Sequence, residues 1–578
     1  MVAGAAHPVT APAETGPHGG DVPAGIPRRD DRKAGTCMRV DVIFENGRFW
    51  TGDSRHPEAT AVAVHHGRIA AVDDVGELAA THRHDLGGAR VVPGLHDAHL
   101  HFGLTGQRLA DVNLRPSRIG TLDGLYDALA ERAAELPPDG WVKASGYDQN
   151  FLDGVHPTAE AIDKAVGGRP CIVEHVSGHM VVASTAAFAL AGYPDRIAFP
   201  DIPGGRVFRG EDGRAEGLLQ EAAMHPIREA AAGVTDAEIA RNLGLANAQA
   251  LSYGLTSITD PGVVVDGSLR GGVALHHLLT AVAANTIRPR MTVMPFHTAL
   301  HAVPGGPAGW RTLDWGVRTG LGDDRLRIGP VKIFSDGSLI GRSAAVHQCY
   351  CGEPDNLGVL QLSPDELHDA LIAYHLAGWT VATHAIGDRA IDHVLDAIEE
   401  AQRRRPREVR HRIEHFAIAT GEQVARCARL GVVPVPQGVF ISDFGDGILD
   451  AIGPQRAAGT YRMRSLLDAG MIVPGSTDSP VSDANPLVSI HDLVNRLTSG
   501  GKPFAPHERV SVEDALTAYT YGSAFAAGRE SEVGRIRPGQ LADFTALSDD
   551  ILAIDPAGIK ELHVTKTVIG GEVVFEDR

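Results

Sequence analysis

One pattern restricts the fold of this chain more than any other: short apolar runs alternate with helix-like stretches between about residues 91 and 480. The runs are "VVPGLHDAHLH" (91–101), "LTSITDPG" (255–262), "PRMTVMPFH" (289–297), "RIGPVKIFSDG" (327–337), "WTVATHAIGD" (379–388), "RHRIEHF" (410–416), "GVVPVPQG" (431–438) and "GMIVPGSTDSP" (470–480). Helical spacing follows several of them. Leu367, Leu371 and Tyr374 share one face, as do Ile391, Val394, Leu395 and Ile398, and Gly431 ends a stretch around Val424 to Leu430. Such alternation predicts parallel strands joined by crossover helices, and eight units predict closure into a (β/α)8 TIM barrel. No G-x-G-x-x-G follows the first run, which argues against an open doubly wound sheet.

The count of eight requires residues 104–250 to be largely an insertion after strand 1, placed to act as a cap or substrate region. Outside the barrel the period changes to two. "RVDVIFENGRFWTG" and "ATAVAVHHGRIAAVDD" alternate around Asn46-Gly47 and His66-Gly67, and "VGRIRPGQLADFTALS" and "HVTKTVIGGEVVFEDR" echo them at the other end. Residues 38–90 and 530–578 are therefore expected to form one small β-sandwich domain from both termini, with the barrel over 91–529. Residues 1–37 are rich in Ala, Pro and Gly and read as a disordered tail; Met38 is a second candidate start.

Composition excludes several classes. A formal net charge of −19 argues against a nucleic-acid binder. The one dense basic run, "RRRPREVRHR" (403–412), is expected to be a solvated helix end. No apolar run approaches the roughly 20 residues that span a bilayer, and residues 1–37 do not read as a secretory signal. Five cysteines, an odd and sparse set, imply no disulfide framework and fit a reducing cytoplasm. Cys349 and Cys351 lack zinc-knuckle spacing and read as ordinary thiols.

Chemistry concentrates at the strand ends. Residues i and i+2 of a strand point the same way, so His99 and His101 can grip one metal ion, with Asp97 on their face and His96 a spectator. Lys332, His384, His415 and Asp478 each lie near the C-terminal end of another apolar run, where barrel enzymes carry their catalytic groups. A lysine in an apolar strand is costly unless paired or modified.

This constellation resembles the amidohydrolase superfamily of metal-dependent hydrolases. "VKIFSDGSL", "THAIGDRAID", "RIEHF" and "STDSPV" are most similar to the branch that includes N-substituted formamide deformylases. The resemblance implies His-x-His on strand 1, Lys332 on strand 4, His384 and His415 on strands 5 and 6, and Asp478 on strand 8. It implies two divalent ions, of which Zn²⁺ suits this donor set. His99, His101 and Asp478 would hold one ion, His384 and His415 the other, and Lys332 carboxylated by CO₂ would bridge them. A metal-activated water would attack a polarised carbonyl, and Asp478 would move the proton to the departing nitrogen. His179 in "VSGHMVV" and Glu221 in "GLLQEAAMHP" also match the branch as substrate contacts. Core packing for His179 and a solvated helical position for Glu221 are the competing readings. Asp388 reads as a helix N-cap.

The expected function is hydrolysis of a non-peptide C–N bond, in an N-substituted amide or formamide. A deaminase or lactonase would use the same site, and a catalytically silent ligand-binding barrel is the non-enzyme alternative. The expected partner is a small-molecule substrate, without nucleic acid or membrane. A homodimer is left open.

Overall fold

The computed structural model describes residues 39–577, apart from 138, 232–234, 265–272, 304–305 and 308. The expected tail and Met38 lie outside the described residues.

Two parallel four-stranded sheets form the centre. One has the order Leu326–Ile328, Arg290–Pro295, Leu255–Val263, Leu95–Asp97; the other runs Val331–Phe334, Val381–Ala385, Arg412–His415, Val433–Val435. The run expected as strand 4 is thus split at Gly329-Pro330. A parallel bridge between Phe296 and Lys332 joins the two sheets on that side.

The eighth expected strand is not one: residues 471–480 have no strand assignment. Pro474 has no N–H to give a ladder, and Asp478 has φ 58°. The segment still lies beside the first sheet. Ala98 N–H donates to Gly475 O (3.0 Å), Asp478 N–H to His99 O (2.8 Å) and His101 N–H to Ser479 O (2.9 Å). Gly475 is required there, because a Cβ would stand 2.3 Å from the Tyr519 ring.

Helices Leu275–Ala283, Pro364–Leu376, Asp388–Arg404 and Gly421–Leu430 follow the strands. Ser363 with Glu366, and Thr420 with Gln423, form capping boxes. Gly431 closes its helix in the left-handed region at φ 66°. Ile391, Val394, Leu395 and Ile398 are buried, and each contributes about 1.5–3 kcal/mol over exposure. Asp388 is not the N-cap of its helix. Gly387 is, and Asp388 instead accepts from His347 N–H at 2.9 Å.

The basic run divides. Arg403 and Arg404 end the helix and pair with Glu400, as expected of a solvated end. Arg412 does not belong with them: it begins a strand and is fully buried.

Between helices Phe102–Ala110 and Asp236–Ser252 lies a separate mixed sheet. Its order is Gly205–Arg209, Ala215–Glu221, Met180–Ala183, Cys171–His175, Val142–Tyr147, Val112–Asn113. Both chain ends meet in another six-stranded sheet, ordered Glu572–Glu576, Val564–Ile569, Phe544–Leu547, Arg90–Pro93, Arg48–Trp50, Glu58–Ala59. Phe44, from a four-stranded sheet built of residues 39–85, packs edge-on against Phe544 of this sheet. No helix among the described residues is long and apolar enough to cross a membrane. Cys171, Cys349, Cys351 and Cys427 are free thiols.

Candidate metal centre

The strand ends deliver the expected residues to one place. His101, Lys332, His384, His415 and Asp478 line a cavity of about 110 Å³ together with His179, walled by Phe334, Phe440 and Tyr461. His99 stands against it: its Nε2 lies 3.3 Å from Asp478 Oδ1, as does His101 Nε2. The His99 and His415 rings are 5.0 Å apart, and those of His384 and His415 4.5 Å. Donor atoms of His99, His415 and Asp478 all lie within 4.8 Å of one another, and all three residues are buried.

Hydrogen bonds fix which nitrogen each histidine presents. His99 Nδ1–H donates to Glu414, leaving Nε2 as the lone-pair nitrogen. His415 Nδ1–H donates to Gln437 Oε1 at 2.9 Å, and Gln437 is oriented because its amide donates to Val435 O and Ser476 Oγ. His384 does the reverse: Nε2–H donates to Gly337 O at 3.1 Å, beside Asp336, so Nδ1 is its free nitrogen. Partners of this kind are what orient histidine toward a metal.

Three buried polar atoms of this cluster have no hydrogen-bond partner: His99 Nε2, Asp478 Oδ1 and Lys332 Nζ. Burial without a partner costs about 1–3 kcal/mol for each neutral group and more for a charge. Burial also pulls the Lys332 amine down to about 8, against the attraction of Glu414 and Asp478. Its Nζ lies 4.9 Å from the Phe334 ring centroid.

The backbone is unusual at the same points. His415, Asp478 and Glu221 have φ of 72°, 58° and 53°. The left-handed region costs a non-glycine residue roughly 1–2 kcal/mol, and such strain concentrates where function needs a side chain aimed off the regular strand direction.

Glu221 is not on a solvated helix. It ends the strand Ala215–Glu221 and is buried. It accepts from His179 Nδ1–H (2.9 Å), Ser343 Oγ–H (2.7 Å) and Gln361 Nε2–H (3.3 Å). It therefore stands behind His179 and does not line the cavity. Burial alone would lower His179, but the Glu221 carboxylate outweighs it and raises it. Asp97, His96, His175 and Phe188 do not line the cavity. Asp97 is turned to Thr477 and to His99 N–H, tying strand 1 to the 471–480 segment. His96 is buried against Thr259, away from the cavity. His175 is held between Ser177 and Gln149, and Phe188 packs inside the inserted sheet's own core.

Arg412, Glu414, Gln437 and Asp336 are supporting residues that pattern reading did not single out. Arg412 and Glu414 lie in "RIEHF", Asp336 in "VKIFSDGSL" and Gln437 in "GVVPVPQG", but nothing in those runs marks them as partners of the histidines.

A family model described as "Amidohydrolase family" matches residues 84–575. Protein LONG AFTER FAR-RED 3 of Arabidopsis thaliana is 31% identical over 555 residues, covering 93% of this chain and 92% of that protein. N-substituted formamide deformylase of Arthrobacter pascens is 29% identical over 562 residues, covering 94% and 99%. Among solved structures, a metal-dependent hydrolase from Pyrococcus furiosus superposes with a TM-score of 0.68 at 26% identity, covering 88% of this chain and 99% of that one.

Proposed function

The chain belongs to the amidohydrolase family and is a hydrolase acting on carbon–nitrogen bonds; from that premise we propose that it cleaves a non-peptide C–N bond in an N-substituted amide or formamide, using divalent metal. The observation that carries this reading is the convergence of unpartnered buried donors, His99 Nε2, Asp478 Oδ1 and Lys332 Nζ, on a cavity lined by four further histidines and walled by aromatic side chains. A histidine and carboxylate set fits Zn²⁺, and ligation would satisfy donors that are otherwise stranded. The two parallel sheets and the 471–480 segment are read as one closed (β/α)8 barrel, with 104–250 as its cap and residues 38–90 and 530–578 as one β-domain.

His99, His101 and Asp478 would hold one ion, and His384 and His415 a second. Bridging them requires Lys332 to be carboxylated: the neutral amine adds CO₂ and releases a proton, giving an anionic carbamate. When bound, such ions polarise a carbonyl and acidify water. Asp478 takes the proton from the attacking water and delivers it to the departing nitrogen. Glu414 and Gln437 hold the histidine rings in register. His179, fixed by Glu221, contacts the substrate. Phe334, Phe440 and Tyr461 limit access of bulk water.

The test pairs metal analysis with a substrate panel. Lys332→Ala should reduce bound metal from about two ions to one or none per chain, with activity partly restored by added short carboxylic acids. Wild-type protein should turn over N-substituted amides or formamides. Turnover of lactones or amino-heterocycles alone would overturn the amide reading in favour of a lactonase or deaminase. Inactivity of zinc- or manganese-loaded protein on the whole panel would favour a silent ligand-binding barrel. Retention of both metals and full activity by Lys332→Ala would make the lysine structural.

A further inference from the structure

A second cavity, of about 450 Å³, adjoins the first, and nothing in the reaction described above uses it. Ile340 lines both. Glu221 lines the second while holding His179, which lines the first. The chamber is formed between the inserted sheet, through Met180, Arg206 and Phe208, and the segment that carries Ile340 and Arg342.

Most of its polar lining is already engaged. Arg342 pairs with Glu353 at 2.6 Å, and the other Glu353 oxygen accepts from Asn356. Gln220 Nε2–H donates to Gly341 O at 3.1 Å. Glu221 is saturated by His179, Ser343 and Gln361. Arg206 is the exception. It sits two residues from Phe208 on the same strand, so both side chains share a face. Arg206 is exposed, its guanidinium carbon lies 4.4 Å from the Phe208 ring centroid, and it attracts Glu353 without a direct ion pair to any described carboxylate. With Glu221 and Glu353 each held by hydrogen bonds, Arg206 is the charged lining residue left without a direct ion pair to a described carboxylate, its guanidinium set against the Phe208 ring.

We propose that this chamber binds the non-reacting end of the substrate and that Arg206 recognises a carboxylate there, so the preferred substrates are amides bearing a distal carboxylate. The inference rests on the amide reading for the reaction itself. A planar monoanion matches a guanidinium fork and its single charge. The Phe208 ring and Met180 supply an apolar bed for the connecting chain.

The experiment uses metal-loaded full-length enzyme and a homologous series of N-formyl-ω-amino acids alongside their carboxamides. One member of the series should be preferred over its carboxamide, because only one chain length spans the two cavities. Arg206→Gln should reduce the carboxylate-to-carboxamide ratio of kcat/KM roughly ten- to a hundred-fold, and Arg206→Lys should recover part of it. A ratio unchanged by Arg206→Gln, in an enzyme that turns over the series, overturns the chamber assignment and leaves the amide reading intact. If no formamide is turned over, calorimetry with the same carboxylates carrying CH₂ in place of the amide N–H separates the two ideas. Binding weakened by Arg206→Gln then supports the chamber while the amide reading falls, and absence of binding to wild type overturns the chamber as well.

Discussion

Glu414 is a residue on which the centre depends without touching the cavity. Burial alone would raise its carboxyl, but Arg412 and His99 outweigh that and hold it well below the usual carboxylate range. Arg412 grips it with two hydrogen bonds, of 2.7 and 2.8 Å, and uses the same guanidinium to bind Ala98 O at 2.7 Å. One fully buried pair therefore sets the His99 tautomer and pins the backbone beside it. Glu414→Gln would keep the shape and remove the anion. Metal affinity should fall about 10- to 100-fold, as for lost carboxylate support of a histidine ligand. Unfolding should also become easier by about 3–5 kcal/mol, because Arg412 would remain charged and buried. Metal titration and denaturant unfolding of the variant check both. Unchanged affinity with lowered stability would show that the pair is structural only.

At the scale of elements, two histidines link one helix to two strands. Val381 N–H donates to His411 Nδ1 at 3.1 Å, so the proton of His411 sits on Nε2. That Nε2–H donates to His375 Nδ1 at 2.8 Å, and His375 Nε2–H then donates to Arg405 O, also at 2.8 Å. The chain of bonds is satisfied only when both rings are neutral. Burial lowers His411 to about 3, from an ordinary value of 6.5. The folded state thus binds no proton there between these values while the unfolded state does, so stability falls as pH drops from about 6.5 toward 3. His411→Gln removes one titrating group and should flatten the stability–pH slope in that window by up to about 1.4 kcal/mol per pH unit. Denaturation midpoints measured from about pH 3.5 to about pH 7 check it, because the linkage acts between about 3 and 6.5. An unaltered slope would mean that other groups govern acid sensitivity.

For the whole molecule, the closing contacts are ionic and cross large sequence distances. Arg90 makes a two-bond pair with Asp550, at 2.8 and 2.7 Å. Arg290, at the base of a central strand, makes another with Asp543, at 2.6 and 2.9 Å. Arg290 and Asp543 are 3% and 5% exposed, so removing Asp543 leaves the buried Arg290 with only the more exposed Asp324, at 3.1 Å, as a direct ionic partner. Asp543→Ala should lower the unfolding midpoint, at a cost of about 3–5 kcal/mol, while metal per folded chain stays the same. Replacing both partners together, Arg290→Met with Asp543→Leu, should recover most of that loss. Metal loss in the single variant at temperatures where it remains folded would show that the terminal sheet shapes the centre directly.

The strand–helix alternation, the capped helices and the positions of Lys332, His384 and His415 were legible in the linear pattern, because period, caps and chemistry-bearing residues at strand ends are local properties. Gly431 at the end of its helix is legible for the same reason. What no local pattern contains is where the chain leaves the regular backbone. The 471–480 run reads as a strand yet bends at Asp478, and Glu221 reads as helical yet turns into the protein at the end of a strand. His415 and Glu414, neighbours that should face opposite ways, both serve the centre because His415 has positive φ. Those conformations are unfavourable in isolation. They persist because packing and hydrogen bonds from distant segments over-determine them, and only the tertiary structure supplies those partners.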